Sequence, residues 1–124
     1  MGYRSHLVPD GGTTGQVLTK ASATDNDLTW NTGVLAGYAA KTTTYAVLAT
    51  DDTINCTSGT FTVTLLTAVG IAGQVFIIKN SGTGVITIAT TSAQTIDGAA
   101  SGSILLNQYD ALEVQSDGAN WIII

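Results

Sequence analysis

The stretch Gln74–Ala89 reads QVFIIKNSGTGVITIA and decides the fold class. Its first part, Val75–Ile78, is apolar at every position, which predicts a strand buried on both sides, within the core or against a neighbouring subunit. In its second part Ile86 and Ile88 alternate with residues such as Thr87, the period of two that indicates a strand with one dry face. The segment NSGTG between the two parts predicts a short hairpin turn.

Short runs of β-branched and aromatic residues recur on both sides of this stretch, separated by turn residues about every 8–12 positions. The candidate strands cover residues 45–49, 53–56, 60–65, 74–79, 84–89, 94–96, 103–106, 111–115 and 121–124. The last of them, Trp121–Ile124, is again apolar on both faces, so it carries the same expectation of burial on both sides. No fixed repeat length connects the strands, which argues against a solenoid. We therefore predict an antiparallel β-sandwich or barrel-like domain over residues 42–124.

The first 41 residues follow a different pattern. Turn residues come first, and two short strand-like runs follow, Gln16–Lys20 and Leu28–Trp30, with a polar loop between them. This arrangement predicts a β-hairpin, and two glycines mark residues 33–41 as a linker. A lone hairpin is only marginally stable in water, so we expect a partner to cover its apolar face. Residues 1–41 are therefore assigned to a hairpin and linker that precede the domain.

Charge is scarce in this chain of 124 residues. Only 10% of the residues are charged, four are basic, and the formal net charge is −5. Nucleic-acid binding requires a basic surface that contacts phosphates, so we expect no nucleic-acid partner. No uninterrupted apolar run approaches the roughly 20 residues that span a bilayer, so we expect no membrane insertion. A surface with so few ions is poorly protected against association, which indicates that copies of the chain cover one another.

The side chains that usually perform catalysis are few. His6 is the only histidine and lies in the turn-rich start of the chain, where we expect an exposed side chain rather than a general base or metal ligand. Cys56 is the only cysteine and falls in a candidate strand, where we expect a small buried apolar residue rather than a nucleophile. We therefore predict that the protein is not an enzyme and has no cofactor.

Two acidic pairs offer oxygen ligands on predicted loops. Asp25 and Asp27 form one pair, and Asp51 and Asp52 form the other. Either pair could hold Ca²⁺ weakly, particularly if three chains met on an axis. Asp is also an ordinary loop residue that hydrogen-bonds its own backbone, and this second interpretation is the one we favour. No metal site is therefore predicted, and the four residues stay as weak candidates.

Aromatic side chains are the remaining binding elements, because they stack on sugar rings when they are exposed. The candidates are Trp30, Tyr38, Tyr45, Tyr109 and Trp121. Tyr109 is the best placed for ligand contact, because the polar turn LNQYD surrounds it; the alternative, which we favour, is that its ring simply packs on that turn. Trp121 precedes three isoleucines and is expected in the core, while Trp30 is expected to pack on the hairpin.

Two parts of the sequence resemble a known family. The segment Gly12–Trp30, GTTGQVLTKASATDNDLTW, resembles the GTTGQVLTK…D…W segment that recurs in fibre and collar proteins of tailed bacteriophages. The rest of the chain is similar to the end domains of such fibres. The motifs that carry this second similarity are Thr53–Cys56, Phe61–Leu65, Ile78–Gly84, Gln94–Gly98 and Ser116–Trp121.

The resemblance implies a homotrimeric component of a virion fibre, made in the bacterial cytoplasm and placed on the surface of the phage particle. It leaves open whether the fibre belongs to the tail, the collar or the head, and it supplies no catalytic residues. The hairpin segment would then attach to other virion proteins or to a fibre shaft. The domain over residues 42–124 would form the knob.

Two functions follow from these expectations. In the first, the trimeric fibre component contributes to attachment to a host-surface glycan or protein, using loops such as the one that carries Tyr109. In the second, the chain is a purely structural trimerisation or cap domain of a longer fibre and binds no ligand. An enzyme that degrades surface polysaccharide is a further alternative, which the scarcity of catalytic residues disfavours.

Overall fold

The computed structural model describes residues 11–14, 16–20, 22–23, 28–31 and 37–124. The chain divides into two compact units, Met1–Leu35 and Ala36–Ile124. Every regular element of the described residues is a β-strand, which confirms the all-β fold class. The described residues form no helix that is long and apolar enough to cross a membrane.

The first unit contains two strands, β1 (Val17–Lys20) and β2 (Leu28–Asn31). They pair antiparallel, with Leu18 opposite Trp30. A turn precedes β1, in which the backbone N–H of Gln16 donates to the carbonyl of Thr13 (3.1 Å). His6, Asp25 and Asp27 lie outside the described residues, so the expectations for these three side chains stay predictions.

The second unit contains nine strands, all within residues 37–124. They are β3 (Tyr38–Lys41), β4 (Tyr45–Ala46), β5 (Thr53–Cys56), β6 (Phe61–Thr64), β7 (Val75–Asn80), β8 (Ile86–Ala89), β9 (Ile104–Leu106), β10 (Ala111–Ser116) and β11 (Trp121–Ile123). A five-stranded sheet has the order β11-β10-β7-β5-β3, and a four-stranded sheet has the order β4-β6-β8-β9.

From β3 to β8 the chain alternates between the two sheets, so that it winds through three coils with one strand in each sheet per coil. Strands of successive coils pair in parallel: β3 with β5, β5 with β7, β4 with β6, and β6 with β8. The prediction of an antiparallel domain is therefore wrong for these coils. Parallel neighbours need a long crossover connection, and here the strand in the opposite sheet supplies it.

The coils differ in length, which explains why no fixed repeat is visible in the sequence. The argument against a solenoid from that missing repeat is therefore wrong for β3 to β8, which wind as successive coils. In the five-stranded sheet Tyr38 pairs with Thr53 and Thr53 with Ile77, so successive partners are 15 and then 24 residues apart. The longer second spacing reflects the loop after β6, which precedes β7. Alternation with a period of two reports only which face of a strand is buried, so it is the same for parallel and antiparallel partners.

The corner Asn80–Gly84 is not the hairpin that the sequence predicts, because β7 and β8 belong to different sheets. Asn80 is fully buried at this corner. Its Nδ2 donates to the carbonyls of Gly84 (2.7 Å) and Leu106 (2.9 Å), and its Oδ1 accepts from the N–H of Gly82 (3.0 Å). The side chain therefore replaces the ladder bonds that a hairpin would have made.

The boundary between the two units falls at residue 35 rather than at residue 41. Tyr38–Lys41, expected as part of a linker, forms β3 and pairs along its whole length with Thr53–Cys56. The segment YAAK is only four residues long and follows Gly37, so the sequence signal for a strand is weak. Pairing with a strand that is distant in sequence stabilises it.

The winding stops when the chain reverses at β9. Strands β9, β10 and β11 each pair antiparallel with a neighbour. The candidate strand at residues 94–96 is reduced to isolated bridges, one of which joins Ile96 to Trp121. Asp97 lies beside the last strand, and its Oδ1 accepts from the N–H of Ile123 (3.1 Å). This side chain occupies an edge N–H that would otherwise be open to another strand.

One hydrophobic core lies between the two sheets. Its largest fully buried members are Trp121, Phe76, Ile54, Leu65, Ile78, Ile86 and Ile88. The Trp121 and Phe76 rings are tilted by 55° with centroids 5.6 Å apart, a favourable aromatic arrangement. The core position predicted for Trp121 is confirmed.

The two strands expected to be buried on both sides are buried on one side only within a single chain. Val75 and Ile77 of β7 are half-buried on the outer face of the five-stranded sheet. Ile122, Ile123 and Ile124 are exposed. Only the expectation of burial against a neighbouring subunit is left for the outer side chains Val75, Ile77, Ile122 and Ile124, and it stays a prediction.

Candidate functional site

Tyr109 lies in the turn Asn107–Asp110 between β9 and β10. The N–H of Asp110 donates to the carbonyl of Asn107 (3.0 Å), and the Asp110 Oδ2 accepts from the N–H of Asn107 (2.8 Å). Tyr109 takes the third position of this turn with φ 70°. Glycine or asparagine usually occupies such a position, because a Cβ is strained there. A bulky residue in this conformation costs on the order of 1 kcal/mol or more, and such strain tends to occur at functional sites.

The backbone of Tyr109 is fixed while its ring is presented to solvent. Its N–H donates to the carbonyl of Asn80 (2.6 Å), and its own carbonyl accepts from Lys79 Nζ. Lys79 Nζ also lies 5.9 Å from the centre of the Tyr109 ring. The side chain is nevertheless 68% exposed, so most of it faces solvent.

A second exposed tyrosine lies on the same outer sheet face. Tyr38 of β3 is 65% exposed, and its hydroxyl accepts a hydrogen bond from Asn55 Nδ2 (3.1 Å). The Oδ1 of Asn55 accepts from Ser81 Oγ (2.7 Å). Asn55 is also the register partner of Lys79 in the neighbouring strand. We refer to Tyr38, Asn55, Lys79, Ser81 and Tyr109 as the tyrosine strip.

The acidic candidates that the structure describes serve the local fold. The Asp51 Oδ2 accepts from the Tyr45 hydroxyl (2.6 Å) and from the N–H of Leu48 (2.8 Å). The Asp52 Oδ2 accepts from the N–H of Gly37 (2.5 Å). These contacts match the interpretation of ordinary loop residues. Across the described ranges no three His, Cys, Asp or Glu side chains are grouped to hold a metal ion.

Cys56 and Tyr45 carry shifted pKa values for local reasons. Cys56 is fully buried in β5, and desolvation raises the pKa of its thiol to about 11, so the reactive thiolate is disfavoured. The hydrogen bond to Asp51, together with partial burial, raises the pKa of Tyr45 to about 12. Lys41 Nζ lies 4.0 Å from the centre of the Tyr45 ring and covers one of its faces.

The aromatic candidates thus differ in how far their side chains are buried. Trp121 is in the core, Tyr45 is half-buried, and the side chain of Trp30 lies outside the described residues. Tyr38 and Tyr109 are the exposed members. Lys79, Asn55 and Ser81 were not singled out from the sequence. The alternation in β5 and β7 could have placed Asn55 and Lys79 on the outer face, opposite in parity to the buried Ile54 and Ile78, but only the parallel register brings them together.

Comparison with known proteins found no relative. A scan against protein-family models gave no match, and searches of the curated proteins and of the solved structures gave none either.

Proposed function

We propose that the protein is a trimeric structural component of a bacteriophage virion fibre that contributes to attachment to the host surface. The observation that carries the attachment role is Tyr109, an exposed aromatic ring on a strained turn that is anchored to a rigid all-β unit. Loops placed on such a scaffold are where recognition residues concentrate. The assignment to a virion fibre rests on the resemblance of Gly12–Trp30 and of the later motifs to fibre proteins.

An apolar corner of the five-stranded sheet supports association between copies. It comprises four residues on the outer face of β7 and at β11, namely Val75, Ile77, Ile122 and Ile124. Register places Val75 and Ile122 on either side of Gln115, and Ile77 and Ile124 on either side of Glu113, whose carbonyl accepts from the N–H of Ile124 (3.0 Å). Two polar residues of β10 therefore lie between the apolar pairs. Burial of such side chains against another copy removes apolar area from water at about 25 cal/mol per Å².

Three copies would compensate for a weak individual binding site. Linked sites raise the effective concentration of the second and third contacts, so avidity exceeds the affinity of one site. Tyr38 and Asn55 of the tyrosine strip lie towards β3, whereas Ile122 and Ile124 of the apolar corner lie at β11, the other edge of the same sheet. The two areas meet in β7, where Ile77 is two residues from Lys79, so association through β11 would leave Tyr38 and Asn55 accessible.

Light scattering in solution tests the assembly. One chain has a mass of 12.7 kDa, so the expected trimer has a mass of about 38 kDa. Ile122→Asp is expected to shift the mass towards the monomer, because it places a charge in the apolar corner. The matched control is Leu105→Asp, at an exposed leucine on the outer face of the other sheet, and it should leave the trimer intact. A stable monomer of about 13 kDa for the unmodified chain would refute the trimer.

Adsorption to host cells tests the attachment role. Virions that carry Tyr109→Ala are expected to adsorb more weakly, while the assembly and its thermal stability stay unchanged. If adsorption is unchanged and trimer stability falls, the chain is a structural element and not an attachment protein.

One observation favours the second candidate, a purely structural cap. The reversal at β9 ends the stack of parallel coils, and Asp97 occupies the N–H of Ile123 beside the last strand. Strands β9 and β11 are the edges of the two sheets at this end, and β3 and β4 are the edges at the other. A unit whose parallel coils end in antiparallel strands is suited to terminating a longer β-structure. Removing the hydrogen bond to Ile123 with Asp97→Ala should then destabilise the fibre without altering adsorption.

A further inference from the structure

We propose that the tyrosine strip is a glycan-binding surface that takes a short saccharide chain rich in carbonyl or carboxylate oxygens. The inference rests on the proposed attachment function for its setting and extends it by naming a ligand class and the residues that would contact it. It also adds Tyr38, Asn55, Ser81 and Lys79 to Tyr109.

The two tyrosine rings provide stacking contacts. Tyr38 leans towards Asn55 through its hydroxyl, and Tyr109 lies beside Lys79, so each ring borders one of two paired residues. Those two residues are adjacent across β5 and β7, about 4.8 Å apart along the hydrogen-bonding direction. An aromatic ring accepts the C–H face of a sugar, and the remaining sugar edges stay wet. Two rings that flank a pair of polar side chains suit a chain of sugars more than a single apolar side chain.

The polar groups between the rings are mainly donors. Lys79 Nζ has three N–H bonds, of which one goes to the Tyr109 carbonyl. Asn55 Nδ2 has two, of which one goes to the Tyr38 hydroxyl, and that hydroxyl keeps its own proton for donation. The Asn55 Oδ1 is already occupied by Ser81 Oγ. A ligand that satisfies this surface must therefore bring acceptors, which N-acetyl and carboxylate groups on sugars do.

A polypeptide partner fits this surface less well. Protein interfaces obtain most of their binding energy from apolar or aromatic anchors in desolvated pockets. The tyrosine strip is an open sheet face whose two rings are separated by an amide and an amine, and the apolar side chains of this face lie in the apolar corner instead. Sugar recognition needs only stacking and hydrogen bonds at exposed positions. We expect a single site to have a dissociation constant on the order of 1 mM.

Titration monitored by amide NMR tests the inference on the full chain. The probes are chitohexaose, which carries N-acetyl groups, a hyaluronan hexasaccharide, which carries N-acetyl and carboxylate groups, and cellohexaose, which carries only hydroxyls. Shift changes are expected for the first two probes at residues 38–40, 53–57, 79–82 and 107–111. Cellohexaose should bind at least fivefold more weakly. No shift with any probe, equal binding of all three, or shifts confined to other residues would each overturn the proposal.

Variants assign the contacts. Tyr38→Ala and Tyr109→Ala should each weaken binding at least fivefold, and Tyr109→Phe should retain it because the ring is kept. Leu105→Ala, an exposed apolar residue on the other sheet, is the matched control and should bind as the unmodified chain does. The dispersion of the amide spectrum verifies that each variant is folded. Unaltered binding by folded Tyr38→Ala and Tyr109→Ala would overturn the assignment.

The same samples separate this inference from the proposed function. If light scattering gives a trimer and virions adsorb through Tyr109 but none of the glycans binds, the glycan inference fails and the fibre function stands. If the glycans bind at the tyrosine strip but the chain is a stable monomer and adsorption is independent of Tyr109, the fibre function fails and the glycan surface stands.

Discussion

At the residue scale, Tyr109 shows how a local backbone conformation constrains the choice of side chain. A tyrosine at φ 70° makes the fold less stable than a glycine would, but it places an aromatic ring at the tip of a turn. The sequence pattern LNQYD predicts the turn but favours a tyrosine ring packed on it, and nothing in the pattern indicates a positive φ. That angle is imposed by the bonds from Tyr109 to Asn80 and Lys79 at the end of β7.

This conformation makes a testable prediction about stability. Tyr109→Gly should be about 1 kcal/mol more stable than Tyr109→Ala, because both lose the ring but only alanine keeps a Cβ at positive φ. At an ordinary φ the order would be reversed, since glycine gains more conformational freedom on unfolding. Urea unfolding of the two variants measures the difference. Equal stability, or a more stable alanine variant, would contradict the strain at this position.

Asn80 is a residue whose importance only the structure reveals. Asn80→Ala should lower the free energy of unfolding by about 2–4 kcal/mol, because it leaves the carbonyl of Leu106 and the N–H of Gly82 without this partner in a buried corner. Gln115→Ala is the control, since the Gln115 side chain makes one exposed hydrogen bond to the carbonyl of Gly73, and its removal should cost less than 1 kcal/mol. Similar losses for the two variants in urea unfolding would refute this role of Asn80.

Asp117 links stability to pH. Hydrogen bonds from the backbone N–H groups of Asn120 and Ala119 hold the pKa of this carboxyl below its usual value. A depressed pKa in the folded state means that the ionised form is stabilised by folding, so the contribution is complete above the unfolded pKa near 4 and is lost as the pH falls through the folded pKa. Asp117→Asn should therefore show a smaller loss of stability between pH 7 and pH 3 than the unmodified chain. Identical urea midpoint shifts for the two proteins would contradict this.

At the scale of elements, the coils stay together through close packing at their corners. A Cβ on Gly84 would overlap the carbonyl of Gly59, so the corner after β7 approaches the previous coil more closely than any other residue allows. The glycines of NSGTG, which the sequence interprets as hairpin residues, thus serve the contact between two corners. The two functions of glycine, a special turn and a close approach, give the same sequence signal.

Substitution of two glycines separates these roles. Gly84→Ala should destabilise the fold by about 3 kcal/mol or more, because the obstacle is backbone that cannot move aside. Gly70→Ala is the control: it has φ 80° but no atom within 4 Å of the added Cβ, so it should cost only about 1 kcal/mol of backbone strain. The difference is measured by thermal or urea unfolding. A larger loss for Gly70→Ala would mean that strain, and not packing, dominates at these corners.

At the scale of the whole molecule, the scarcity of charge and the apolar corner lead to the same expectation. Ile122 and Ile124 lie on an outer sheet face, where they contact solvent in one chain and gain from contact with another. If folding and association are coupled, the thermal midpoint should rise with protein concentration. Scanning calorimetry between about 5 and 200 μM measures this dependence. A midpoint that is constant over this range would show that the chain unfolds as a monomer, and the Ile122→Asp variant should show that constant midpoint.

The sequence by itself determined the class of the fold, the positions of most strands and several members of the core. Phe61, Val63 and Leu65 alternate with threonines, and Ile86 and Ile88 alternate with Thr87, and this periodicity is a property of short segments. The burial of Cys56 was expected from its place in a candidate strand, and that of Trp121 from the three isoleucines that follow it.

Only the tertiary structure decided which strands are neighbours, because pairing direction depends on partners 15 to 25 residues away and leaves no trace in a period of two. It also decided the candidate site: the register of β5 with β7 brings Asn55 next to Lys79 and places them between Tyr38 and Tyr109. Such a surface is assembled from four separate segments. Its chemistry therefore arises from the winding of the coils and from no single stretch of the chain.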